Sequence, residues 1–190
     1  MTTILSSLGR PLPALAARWI AHFHMERIPQ EGAWFSPGYT SDEVVASAAL
    51  PVRYGGERRI YNSIHCVHTR DDFSGIHRLK TDEYWHFYEG NPVELLLLHL
   101  DGRGETVKLG PDLFAGERRQ FLVPRDVWQG ARPLGGDDAC ALIGNSMAPA
   151  FDYADFEIGY REELQAKYPD WAGPIAALTR DEHARRPAGG

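Results

Sequence analysis

The side chains best suited to chemistry cluster in "GIHRLKTDEYWHFYEGNP", residues 75–92. His77 and Glu83 pair an imidazole with a carboxylate, a combination that moves protons or holds a metal ion. In an extended strand His77 and Leu79 share a face, so an aliphatic group lies beside the imidazole where a metal would need another donor. Counting from Glu83, Trp85 and Phe87 fall on its face and Tyr84, His86 and Tyr88 on the other. Trp85 and Phe87 are expected either as a stacking wall for a ring or as core aromatics. His86 reads as an outer-face residue.

A second strand, within "RIYNSIHCVHT", carries Asn62, His65, Cys66 and His68. His65 and His68 are three apart and face opposite sides of a regular strand, so one reaches the interior and the other solvent. His65 is taken forward as the interior candidate. Asn62, and Glu31 in "QEG", are candidates for the mouth of the site, each equally readable as a turn or hydrogen-bonding residue.

The elements that must position these groups follow from the apolar pattern. Residues 12–27 carry Leu12, Leu15, Trp19, Ile20 and Phe23 at helical spacing. "IPQEGAWFSPGYTSDE" reads as loop or short irregular strand. From about 58 to 150, short β-branched, aromatic and aliphatic runs alternate with turn signals such as "EGNP" and "LDGRGE", the pattern of a β-sandwich or barrel. Helical patterns return in "REELQAKYPDW" and "GPIAALTRDEH", with Pro174 suited to a first helical turn. "FDYADFE" (151–157) reads as an acidic surface turn packing Phe151 and Phe156 on the barrel. The expected organisation is one domain: an N-terminal helix and leading segment (1–57), a barrel core (58–150), a helical segment packed on it (151–183) and a disordered tail (184–190).

The chain has 190 residues and a net charge of −6, with pI about 5.7. That balance argues against a nucleic-acid partner, which favours a basic surface. The longest apolar run, Leu95–Leu98, is far too short to span a bilayer, and the N-terminus lacks a signal-peptide pattern. Two cysteines, Cys66 and Cys140, are too few for a secreted disulfide framework and are expected as buried free thiols. A cytoplasmic location is expected.

The motifs resemble those of the cupin superfamily. Its first motif, His-x-His, three or four residues, Glu, six residues, Gly, is matched by His77, Glu83 and Gly90, with Leu79 in place of the second histidine. Its second, Pro-x-Gly-x-x-His, is matched by Pro124 alone, with Asp126 and Gln129 in the other places. The segments "FSGIHRLKTDEYWHFYEGNPVELLLL", "LGPDLFAGERRQFLVPRDVWQGAR" and "MAPAFDYADFEIGYREELQAKYP" are similar to the divergent cupin-5 group. The resemblance spans about residues 17–180. It implies a mainly β, single-domain jelly-roll barrel with flanking N- and C-terminal helices, and commonly a homodimer.

Three functions follow as expectations. In the first, His77 and Glu83 transfer protons in an isomerase, epimerase or related lyase acting on a polar or carbonyl-bearing metabolite. Gln129, His65, Trp85, Phe87, Asn62 and Glu31 bind the substrate. In the second, a divalent transition metal sits on His77, Glu83 and either His65 or Gln129, as in a dioxygenase or metallo-isomerase. Ligand count favours the metal-free reading, because catalytic sites of this kind typically use three protein ligands. In the third, the barrel binds a small molecule without turning it over.

Overall fold

A computed structural model describes residues 3–187. The chain opens with α1 (Ala14–His22), β1 (Glu26–Arg27), β2 (Trp34–Thr40), β3 (Val44–Val45) and β4 (Arg58–Arg59). The barrel strands are β5 (Asn62–Thr69), β6 (Ser74–Leu79), β7 (Glu83–Gly90), β8 (Val93–Leu98), β9 (Gly104–Leu109), β10 (Gln120–Val123), β11 (Trp128–Pro133) and β12 (Cys140–Met147). β13 (Phe156–Ile158), α2 (Arg161–Lys167) and α3 (Ala172–Ala177) complete it.

One sheet runs β1-β2-β5-β12-β7-β10 and the other β13-β6-β11-β8-β9, both antiparallel, with β3-β4 as a separate hairpin pair. The eight strands β5 to β12 cross from one sheet to the other at every connection except the β8–β9 hairpin, so β5-β12-β7-β10 faces β6-β11-β8-β9 in a jelly-roll barrel. The sheets extend beyond the stretch 58–150. β2, in the segment read as loop or short irregular strand, pairs along β5, and β13 pairs with β6.

Period-2 alternation positions the interior. Along β7, Glu83, Trp85 and Phe87 are buried while Tyr84 and Tyr88 are exposed. The apolar run in β8 has a different cause: it is covered on both sides. Leu95 and Leu97 pack with Trp85, Phe87 and Ile143 between the sheets, and Leu96 and Leu98 pack outward against Leu164, Tyr168, Ile175 and Leu178 of the C-terminal segment. On the opposite side α1 lays Ala16, Trp19 and Ile20 over Val67, Cys140 and Leu142. α1 is shorter than its apolar stripe, because the chain turns at His24, in left-handed backbone (φ 51°), and enters β1.

Polar anchors fix the ends. The fully buried Asp72 carboxylate accepts from Ser7 N (2.8 Å), Arg27 Nη1 (2.7 Å) and Trp34 Nε1 (2.8 Å). Both cysteines are free and buried. The expected disordered tail lies partly outside the described residues, at 188–190. Within 184–187, Arg185 bonds Glu162 and Arg186 bonds Glu163 on α2. Among the described residues no helix is long and apolar enough to cross a membrane.

Candidate active site

His77 stands near the end of β6 and Glu83 opens β7, so one tight connection delivers both to the interior. His77 Nδ1 lies 2.9 Å from Gly75 O. A carbonyl only accepts, so the neutral ring carries its proton on Nδ1 and presents a lone pair on Nε2. The ring stacks on Phe156 (5.3 Å between centroids, 24° between planes), which fixes its plane.

Glu83 is held more tightly. Its Oε2 accepts from Gln129 Nε2 (2.7 Å) and from Trp85 Nε1 (3.2 Å), while Trp85 Nε1 also reaches Gln129 Oε1 (2.9 Å). Among the described residues no donor meets Oε1, and the residue lines a cavity of about 220 Å³. Burial pushes the carboxyl up, to about 7, against the opposing pull of the His77 imidazole; the nearby Glu31 charge adds to the rise, and the Gln129 and Trp85 donors oppose it. His77, Leu79, Glu31 and Asn62 line the same cavity.

Glu31 arrives on a loop held open by two left-handed positions, Gln30 (φ 65°) and Gly32 (φ 96°). A side chain at position 32 would collide with the Arg180 guanidinium, which donates to the carbonyls of Glu31 and of Phe73. Ser74 Oγ donates to Glu31 Oε1 at 2.6 Å. Asn62 Oδ1 accepts from Phe151 N (2.8 Å) and so ties the "FDYADFE" segment to the cavity mouth.

Several expectations need correction. His65 is on the outer face, stacked on Phe23 (4.7 Å) beyond the end of α1; the interior histidine is His68, edge-on to Trp85 at 5.8 Å. Gln129 does not reach the cavity; it orients Glu83 from behind. Trp85 and Phe87 belong to the core between the sheets rather than to a wall around a ligand. The wall is built instead by Ile28, Phe35, Ile64, Met147, Phe151 and Tyr153. "FDYADFE" is therefore part of the site and not only a surface turn. A buried ion pair supports it, with Asp155 accepting Arg58 Nε and Nη2, both at 2.7 Å. Asn145 also lines the cavity, and sequence reasoning missed it although it sits two residues from the core residue Ile143 on one strand face.

The donor set can be tested against a metal. Of the four candidate ligands, His65 faces away, and the Gln129 amide spends its oxygen on Trp85 and its nitrogen on Glu83. His77 Nε2 and Glu83 Oε1 remain, short of three protein ligands. Among the described residues no group of three or more His, Cys, Asp or Glu is placed to hold an ion. These residues do not fit a bound transition metal.

Comparison with known proteins agrees with the fold. The structure of protein SO0799 from Shewanella oneidensis is 30% identical, with a TM-score of 0.76 over 87% of this chain and 97% of that one. A hypothetical protein from Leishmania major is 26% identical, with a TM-score of 0.76 over 87% and 99%. The nucleoside dehydratase Pac13 of Streptomyces is more distant, at 13% identity and a TM-score of 0.45 over 70% and 83%. No curated protein matches the sequence. The family model Cupin_5, described as cupin superfamily (DUF985), matches residues 17–159, and the chain belongs to that family.

Proposed function

We propose that the cavity is the active site of an enzyme that moves protons on a small polar or carbonyl-bearing molecule, in an isomerisation, an epimerisation or a related lyase step. The observation that carries this reading is the state of Glu83. Two N–H donors saturate Oε2, burial holds the carboxyl near neutrality, and Oε1 is left for the cavity beside the His77 lone pair. A carboxyl with a pKa of about 7 can give or take a proton at neutral pH, as a general acid or base must.

His77 Nε2 takes the proton from a C–H next to a carbonyl. The C–H electron pair becomes a C=C bond while Glu83 gives its Oε1 proton to the carbonyl oxygen, leaving an enol. Return of the protons at the other carbon, or on the other face, completes an isomerisation or epimerisation. In the lyase variant Glu83 protonates a β-hydroxyl, which leaves as water. Leu79 and the aromatic wall keep bulk water from the intermediate.

The test is a panel of small hydroxycarbonyl compounds incubated in D₂O, with deuterium at carbon and product followed by NMR. Once a substrate is found, His77→Ala and Glu83→Gln are each expected to lower turnover by about 10²–10⁴-fold. Undiminished turnover in both variants would falsify the assignment. A compound that stabilises the protein yet returns with neither deuterium nor product would identify a binding module instead.

A further inference from the structure

The cavity lining has a one-sided charge. Glu31 and Glu83 supply two carboxylates, His77 is the sole basic side chain, and neither lysine nor arginine contributes. Arg180, whose charge reaches the Glu31 loop, points its guanidinium at backbone carbonyls and does not line the space. A bound carboxylate or phosphate would face the Glu31 carboxylate, and Glu83 whenever it ionises, in a partly dry pocket with no guanidinium or ammonium to meet it, and such pairings are unfavourable. Most of the remaining lining is apolar or aromatic, Phe35, Phe151 and Tyr153 included, and its other polar members, Thr40, Asn62 and Asn145, are uncharged.

Against that apolar surface stands one side chain with no protein partner. Asn145 is 6% exposed, its amide makes no hydrogen bond to the described residues, and its Nδ2 is buried without an acceptor. A buried amide left unpaired costs about 1–3 kcal/mol, so one that also lines a cavity is a ready partner for a bound molecule. Its neighbours on the interior face, Ile143 and Met147, are apolar and do not hydrogen-bond the amide.

We infer that the cavity selects an uncharged polar molecule with a flat apolar body, and that the Asn145 amide reads its polar group. This rests on the proposed active site and names the substrate class for it. The two fail separately, because selectivity is read from binding of probes that do not react, whereas the proton-transfer assignment is read from turnover.

The probes are benzamide, its isosteric anion benzoate, and phenyl phosphate, with binding to the wild-type protein measured by ligand-observed NMR and calorimetry. Benzamide is expected to bind in the millimolar range and at least about tenfold tighter than either anion. Asn145→Ala is expected to weaken benzamide by about tenfold while keeping or raising the melting temperature, since the removed amide had no partner. Glu31→Gln is expected to narrow the gap between benzamide and benzoate. Benzoate or phenyl phosphate binding as well as benzamide, or no binding of benzamide at millimolar concentration, overturns the inference. So does an Asn145→Ala protein that binds benzamide unchanged. The charge comparison needs no variant, so it holds as a test even if a substitution unfolds the chain.

Discussion

Glu83 and His68 both meet the Trp85 indole, and the barrel treats them in opposite ways. Glu83 accepts the indole N–H, shares the Gln129 amide and opens onto the cavity. His68 packs edge-on against the ring, is 1% exposed, leaves Nδ1 without a partner among the described residues and does not line that cavity. Burial pushes the Glu83 carboxyl up to about 7 and holds the His68 imidazole down at about 3, with His77 and Arg180 lowering it further. Both groups are therefore favoured neutral. The difference lies in what surrounds the neutral form: fixed donors and an open oxygen at Glu83, and only packing at His68. Desolvation alone makes a silent buried residue. Desolvation together with hydrogen-bond donors and access makes a candidate acid–base group.

The largest effect that would break this contrast is at Glu83. Glu83→Gln should lose about 10²–10⁴-fold in turnover while gaining stability at alkaline pH. The direction follows from the raised pKa. Between the ordinary 4.5 and about 7 the native state holds a proton that the unfolded chain has released, so stability falls as pH rises through that window. The loss is about 3 kcal/mol by pH 8, at about 1.4 kcal/mol per pH unit. The neutral amide avoids it. Urea unfolding of wild type and variant at pH 4.5 and pH 8 measures the difference; parallel pH dependences would show that Glu83 ionises freely and is not the poised group.

His68 should show the reverse, with no effect on turnover. Its lowered pKa means that the unfolded chain binds a proton below 6.5 that the native state refuses down to about 3, so stability falls with acid across that window. His68→Phe keeps a ring against Trp85 and removes the titration. Relative to its own value at pH 7, the variant should gain about 3 kcal/mol over wild type by pH 4. Comparing each protein with itself cancels the packing cost of the larger ring. Equal acid sensitivity in both proteins would remove His68 from the contrast, and reduced turnover in the variant would give it a part in the site.

Why this pair was only half legible is visible on β5. The alternation in "EYWHFYEG" fixed Glu83, Trp85 and Phe87 on one face, because a strand with one wet side alternates cleanly. β5 has no wet side over much of its length. Cys66 faces the core between the sheets and Val67 faces α1, so both faces are apolar and parity could not say whether His65 or His68 points inward. Gln129 pairs with His77 across β11 and β6, and its role depends on which way the amide turns, which is set by Trp85 and Glu83 from other positions in the chain. "FDYADFE" was misread for a similar reason. Its acidic residues look like a solvated turn until Arg58, nearly a hundred positions away, is found beside Asp155. What the sequence left open was in each case a partner distant along the chain.

The smallest effect is the most discriminating. Trp85→Phe removes the indole N–H but keeps an aromatic edge for His68. Glu83 then loses the weaker of its two donors, at 3.2 Å against 2.7 Å for Gln129, and its ionised form is less favoured. The alkaline limb of the pH–rate profile, where Glu83 gives up its proton, should move upward by about half a pH unit. The acid limb of stability, which belongs to His68, should stay in place because no hydrogen bond connects His68 to the indole. If both limbs move together, the indole transmits the state of one group to the other and they form a single coupled site. If neither moves, the long Trp85 bond contributes nothing, and burial sets the proton affinity of Glu83 against the Gln129 donor alone.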